Sequence, residues 1–187
     1  LPLSAHSAQV VSWHGRHNAE LVEAVEPMPR QIWRREGRCG LTGHGGAPAL
    51  LVLEESAGDH AGQVLALQLA WSGDSVLAIE RDDEGCWQLG AGAALAPGEV
   101  VLGQGESWSA PQAIVAVSTH GRNGAMAQQH AAVRARLDWP DGRMRPRPVH
   151  LNSWEACYFD HDAQRILALA ESAAAIGIER FVLDDGW

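Results

Sequence analysis

Hydrophobic positions along the chain change their period twice, and the changes divide it. In Val64-Leu65-Ala66-Leu67-Gln68-Leu69-Ala70-Trp71, the residues Leu65, Leu67, Leu69 and Trp71 recur every second position, as one face of a strand does. Ser72-Gly73-Asp74 ends that run with turn chemistry. Val76 to Glu80 and Cys86 to Leu89 predict a hairpin across Asp82-Asp83-Glu84-Gly85. Pro97-Gly98 suits the centre of a type II turn, because Pro presets φ at the first position and Gly accepts a positive φ at the second. Val100 to Leu102 and Ile114 to Ser118 predict two further strands. Trp71, Trp87 and Trp108 lie in or near these strands and are expected in the core. Short strands with frequent turn signals favour an antiparallel sandwich.

From Asn123, a reasonable N-cap, the period lengthens: Met126, His130, Val133 and Leu137 recur at helical spacing. Asp138-Trp139-Pro140-Asp141-Gly142 breaks that helix. Arg143 to Pro148 reads as a stiff connector, since each of its two prolines restricts the residue before it. The organisation expected is therefore 1–122, 123–146 for helix and linker, and 147–187. In the last segment Val149 to Asn152 predicts a short strand. Asp162 to Ile176 predicts an amphipathic helix, with Ile166, Leu169, Ala170 and Ala173 on one side and Gly177 as its C-terminal cap. Arg180 to Leu183 is almost wholly apolar, as buried parallel strands are. This is one β-α-β unit, expected to cross over right-handed. Alone it would leave an open parallel edge, so the sequence reads as truncated.

Composition narrows the partners. A formal net charge of -9 argues against nucleic acid, whose binding draws on clustered Lys and Arg. No apolar stretch approaches the ~20 residues that span a bilayer, so no membrane partner is expected. Leu1-Pro2-Leu3-Ser4 shows no charged start followed by an apolar run; a start lying upstream and a cytoplasmic setting are the expectations. Cys39, Cys86 and Cys157 are far apart and odd in number, which favours small buried thiols over a disulfide framework or zinc. His14, His17 and His44 come with no carboxylate or cysteine at ligand spacing, so no metal site is expected.

Candidate chemistry gathers where the two parallel strands end, the edge at which such sheets bind ligands. Asn152-Ser153-Trp154-Glu155 and Asp184-Asp185-Gly186-Trp187 are polar clusters punctuated by tryptophan. Carboxylates accept hydrogen bonds from sugar hydroxyls, and an indole offers a flat face to the C–H side of a pyranose. Asp184, Asp185 and Trp154 are thus candidate residues for a polyhydroxylated ligand. Equally, Asp-Asp-Gly suits a loop whose aspartates cap a following helix. Glu155 is better read as a cap or an arginine's partner than as a general acid, and His150 as a satisfied layer residue.

Two long motifs make the reading specific. Arg147-Pro148-Val149-His150-Leu151-Asn152-Ser153-Trp154-Glu155-Ala156 with Tyr158-Phe159-Asp160, and Gly177-Ile178-Glu179-Arg180-Phe181-Val182-Leu183-Asp184-Asp185-Gly186-Trp187, resemble the opening of the catalytic barrel in family 36 α-galactosidases. Upstream, Ser12-Trp13, Arg38 to Gly45, Leu65 to Gly73, Gln88-Leu89-Gly90 and Leu95 to Glu99 more loosely resemble that family's N-terminal β-supersandwich. The resemblance implies a mainly β fold: an antiparallel β-supersandwich followed by the first β-α-β unit of a truncated (β/α)8 barrel. It implies that Asp184 and Asp185 hydrogen-bond the C4 and C6 hydroxyls of a terminal galactose, and that Trp154 lines the same pocket. The partner implied is an α-galactoside sugar, with no metal or organic cofactor, and family members are often homo-oligomers.

The family's catalytic pair does not map here. Its nucleophile is the Asp of K-W-D-x-N, and this chain has no lysine; its acid/base lies on a later strand. A retaining pair must flank the scissile bond from opposite sides, with carboxyls ~5 Å apart, so neighbours on one strand end cannot serve as both. No catalytic residue is therefore assigned within these 187 residues. The activity expected of the parent protein is retaining hydrolysis of terminal α-galactosyl groups in melibiose- or raffinose-like sugars. The competing readings are a non-catalytic carbohydrate-binding β-module, and a related α-N-acetylgalactosaminidase or galactosyltransferase.

Overall fold

The computed structural model describes Leu1–Gly186. The chain forms two compact units, one running from Leu1 to Leu137 and the other from Asp138 onward. In the first, strands β1 (Ser7–Arg16), β2 (Ala19–Pro27), β3 (Ile32–Gly37), β4 (Ala49–Glu54), β5 (Val64–Ala70), β6 (Ser75–Arg81), β7 (Trp87–Ala93) and β8 (Gln112–Ser118) precede helix α1 (Gly121–Arg136). They build a five-stranded sheet in the order β2-β1-β4-β5-β8 and a three-stranded sheet in the order β3-β6-β7. Every pairing in both sheets is antiparallel.

The central strands of the larger sheet are apolar on both faces, and the two faces serve two cores. One core takes Val10, Leu50, Val52 and Leu67 from that sheet and packs them on Leu77, Ile79, Trp87 and Leu89 of the smaller one. The other takes the alternate residues Val11, Leu51, Leu53, Val64 and Ala66, with Ala116, and packs them under Ala125 of α1. Side chains two apart share a sheet face, so Ala49-Leu50-Leu51-Val52-Leu53 must be apolar throughout to feed both. The result is three layers, sheet on sheet on helix. Burying each of these large side chains contributes about 1.5–3 kcal/mol.

Local turn chemistry behaves as its residues require. Glu99 N–H donates to Ala96 O at 3.0 Å and Gly98 has φ +80°, closing the Pro97-Gly98 turn. In the β6–β7 hairpin, Gly85 N–H reaches Asp82 O at 2.9 Å, while the Asp82 carboxylate accepts from Glu84 N–H and Cys86 N–H.

Four expectations fail, each for a physical reason. Val100 to Leu102 forms no strand: the segment pairs with no neighbour, and Val101 is 77% exposed. Of the three tryptophans only Trp87 is in the core. Trp71 and Trp108 are exposed, and the Trp71 indole N–H is satisfied by Asp74 O at 3.1 Å just past the end of β5. Only Cys157 is a buried thiol, because Cys39 and Cys86 fall in a loop and a turn; all three are free. Finally, α1 starts at Gly121 rather than after an Asn123 cap. The N–H groups of Gly121, Arg122 and Asn123 donate to the carbonyls of Gly62, Gly58 and Asp59, so a neighbouring loop does the capping. Its buried stripe is Gly121, Ala125 and Gln129, while His130, Val133 and Leu137 face outward. Small residues let the helix approach the sheet, and Gln129 Nε2 donates to Ala66 O and Ile114 O across β5 and β8.

In the second unit a single turn at Pro140–Gly142 precedes β9 (His150–Asn152), the short helix α2 (Trp154–Cys157), α3 (Ala163–Ala175) and β10 (Arg180–Val182). Strands β9 and β10 pair in parallel with α3 between them, giving the expected β-α-β unit. Asp162 caps α3 by accepting from Arg165 N–H at 2.8 Å. Gly177, at φ +91°, ends the helix with its N–H on Ala174 O and the Ile178 N–H on Ala173 O. Ile166, Leu169 and Ala170 are half-buried and Ala173 is buried, as the spacing predicts. Among the described residues no helix is long and apolar enough to cross a membrane.

Candidate functional site

The chain leaves β9 and β10 at the same edge of their sheet, and a hydrogen-bond lattice joins the two exits. Register pairs Asn152 with Val182. One residue further, Ser153 N–H donates to Val182 O at 2.9 Å, and the Ser153 hydroxyl accepts from Asp184 N–H at 3.0 Å. Ser153 is completely buried, so its hydroxyl is a fixed strut between the strand ends. Asn152 does a second job: its Oδ1 accepts from Trp154 N–H at 2.7 Å, while its Nδ2 donates to the Asp184 carboxylate. One amide thereby sets both the start of α2 and the direction of Asp184.

Asp184 is half-buried and Asp185 exposed. Asp185 N–H donates to Asp184 Oδ1 at 2.7 Å, and Gly186 N–H donates to Asp185 Oδ1 at 2.8 Å. The Asp185 backbone N–H, and then the Asn152 amide, hold the Asp184 carboxyl below the ordinary carboxylate range, with the His161 ring adding a smaller pull. Asp184 is therefore an ionised acceptor at neutral pH. Each of its oxygens has one internal donor and lone-pair capacity left over.

Trp154 is steadied by aromatic edges rather than by its own burial. Tyr158 and Phe159 meet its ring edge-on, with centroids 5.4 and 5.0 Å away and interplanar angles of 77° and 89°. Phe159 also lies against Gly186: a Cβ there would come within 3.0 Å of Phe159 Cδ1 and 3.1 Å of its Cα, and Gly186 sits at φ +102°. Glycine is required on both counts. Asn152 on one side and Phe159 on the other thus tie Trp154 to the segment 184–186. All three candidate residues, Asp184, Asp185 and Trp154, sit at one sheet edge.

Two other residues behave differently from expectation. His150 is exposed on β9 rather than enclosed in a layer. Glu155 accepts from the Tyr158 hydroxyl at 3.2 Å, and has no arginine partner among the described residues. Trp187, part of the second motif, lies outside the described residues. Sequence reasoning assigned no role to Asn152, Ser153 or His161. The first two stand inside the Asn-Ser-Trp-Glu motif, immediately before the tryptophan. Both ring nitrogens of His161 are buried and lack partners among the described residues.

The arrangement presents an ionised, oriented carboxylate, a second exposed one beside it and an edge-packed indole. These are acceptors and an apolar face, suited to holding hydroxyls and a ring. They are not two carboxylates set on opposite sides of a bond.

Comparison with known proteins agrees along the whole chain. A family model described as the glycosyl hydrolase family 36 N-terminal domain matches residues 1–103, and one described as Melibiase matches residues 107–187. The α-galactosidase of Escherichia coli is 35% identical over 188 residues, covering 100% of this chain and 26% of that protein. The α-galactosidase AgaA of Geobacillus stearothermophilus is 34% identical over 161 residues, covering 86% of this chain and 22% of that protein. A crystal structure of AgaA superposes with a TM-score of 0.89 at 30% identity, covering 100% of this chain and 26% of that one. A variant of AgaA solved with raffinose superposes with a TM-score of 0.88, again at 30% identity and 26% of that chain. This chain spans about a quarter of the length of the relatives it matches. With the N-terminal family model alone matching more than half of its residues, the chain belongs to glycosyl hydrolase family 36.

Proposed function

We propose that the protein to which this chain contributes is a retaining α-galactosidase acting on terminal α-galactosyl groups of raffinose-like sugars, and that the β9–β10 edge holds the galactose. The observation that carries this reading is the joint placement of Asp184, Asp185 and Trp154 by Asn152 and Ser153. Supporting it, AgaA of Geobacillus stearothermophilus has been solved with raffinose and with stachyose.

The physical logic is one of acceptors. A hydroxyl that donates to the oriented Asp184 carboxylate satisfies a charge already partly desolvated. A sugar whose hydroxyl points elsewhere leaves that acceptor unmatched, and a site built to hydrogen-bond a substrate hydroxyl rejects such analogues strongly. An axial C4 hydroxyl presented to the pair would favour galactose over its equatorial epimer. The indole, packed at steep angles against Tyr158 and Phe159, would offer a flat face to the C–H side of the ring. Bond cleavage needs a nucleophile and an acid/base on opposite sides of the anomeric carbon. Asp184 and Asp185 are consecutive on one strand end and cannot take those roles together.

The division of labour has a direct test in hydrolysis of p-nitrophenyl α-galactoside. The 187-residue chain alone is expected to give no turnover, while the whole protein hydrolyses the substrate with retention. Turnover by the chain alone would overturn the assignment of these residues to binding.

A further inference from the structure

Folding brings His44 up to His17 and Glu20, a pair of metal-ligating side chains far from it in sequence. His17 stands on the tight β1–β2 turn, Glu20 at the start of β2 and His44 on the loop between β3 and β4. One ligand atom from each lies within 4.8 Å of the other two. His44 Nδ1 is 3.6 Å from Glu20 Oε1, and the two imidazole centroids are 6.0 Å apart. His14, grouped with these histidines on sequence grounds, is not in the cluster: its Nδ1 lies 2.9 Å from Val22 O. Glu20, three residues after His17, supplies the carboxylate that the sequence reading passed over.

We propose that His17, Glu20 and His44 form a binding site for a divalent transition ion of zinc type, joining the β1–β2 turn to the β3–β4 loop. Two imidazoles and one carboxylate are a donor set that zinc accepts, and three protein ligands leave a fourth position for water. In a tetrahedral site with bonds of about 2.0–2.2 Å, donor atoms sit about 3.3–3.6 Å apart. The Glu20–His44 separation is already close to that, and the remaining contraction from 4.8 Å falls to exposed imidazoles that are free to rotate.

Both segments that carry the ligands are anchored. On the turn, Asn18 takes φ +61° and its N–H donates to Glu20 Oε1 at 2.9 Å, which aims the carboxylate. A Cβ at Gly15 would come within 2.4 Å of Ala19 O, so the two strands are held too close for any other residue there. On the loop, Gly40 N–H donates to Asp74 Oδ1 at 2.7 Å and Thr42 N–H to Ser72 O at 2.7 Å; Arg35 Nη2 donates to Gly45 O at 2.9 Å.

Titration of the full chain with zinc by isothermal calorimetry tests this, paired with X-ray absorption at the zinc edge. The expected result is one zinc per chain, with a shell of nitrogen and oxygen near 2.0 Å and no sulfur near 2.3 Å. His44→Ala, His17→Ala and Glu20→Gln should each weaken binding at least tenfold, roughly what loss of even a supporting group costs. All three residues are exposed, so the fold should survive these changes. His6→Ala, a substitution outside the cluster, should leave affinity within about twofold, as should the Cys39→Ser/Cys86→Ser double variant. Absence of saturable binding, a sulfur shell, or a His44→Ala variant that binds like the unaltered chain would each overturn the site.

Discussion

The two units reach order by different means. From Leu1 to Leu137, a sheet with both faces covered buries Leu50, Leu77, Ile79, Val10, Val11 and Val64 almost completely. From Asp138 onward, only Ser153, Cys157 and Ala173 are buried among the described residues, while Phe159, Leu167 and Ile176 are exposed. The first unit is held by burial. The second keeps its candidate edge in shape through hydrogen bonds joining Asn152, Ser153 and Asp185 to Asp184. Within these 187 residues, the buried core and the candidate site thus rest on different side chains.

Deleting the same atoms in each unit gives the widest separation. Leu50→Ala should destabilise the chain by about 2–5 kcal/mol, as removal of a fully buried leucine does. In the 187-residue chain Leu167→Ala, on the exposed side of α3, should change stability by less than about 0.5 kcal/mol. Urea unfolding of the two variants compares them, and similar midpoint shifts would break the contrast between the units.

A smaller effect is local to the second unit. Asp184 gains hydrogen bonds when the edge forms, and its carboxyl is held below the ordinary range. The sign follows: these bonds support the edge at pH values above the carboxylate range, and their contribution fades as the pH drops through the lowered titration of Asp184. Carboxyl NMR should show Asp184 titrating below an ordinary aspartate. Asn152→Ala should move that midpoint upward while leaving the urea midpoint of the first unit unchanged. An unmoved Asp184 titration would show that the amide does not set its charge.

What the sequence made legible was mostly local. The Asp82–Gly85 and Pro97-Gly98 turns, the Gly177 cap and the apolar side of α3 each depend on residues a few positions apart, and all appear as read. Strands β1 and β4 were harder. Their cores alternate between two packing partners, so Val10-Val11 and the run Leu50 to Leu53 show no single apolar face. Helix α1 misled because its contact stripe is made of Gly121, Ala125 and Gln129, whereas the larger residues His130, Val133 and Leu137 face outward. Val100 to Leu102 has strand composition but no partner, and composition alone does not supply one.

At the candidate site, the groups that would face a sugar could be picked out by chemical type, as Asp184, Asp185 and Trp154. The residues that hold them could not. Asn152 and Ser153 act through bonds to positions about 30 residues away, and His44 joins His17 and Glu20 only when the β3–β4 loop meets the β1–β2 hairpin. Sequence spacing carries no record of such meetings.

The claim at the centre of this account is that the Asp184 carboxylate recognises a galactose hydroxyl. In the whole protein, Asp184→Asn keeps the side chain's size and replaces a charged acceptor with a neutral amide. Its kcat/KM for p-nitrophenyl α-galactoside should fall by roughly 10- to 100-fold or more, as loss of a charge-assisted hydrogen bond to substrate does. A variant that hydrolyses the galactoside within about twofold of the unaltered protein would contradict the assignment.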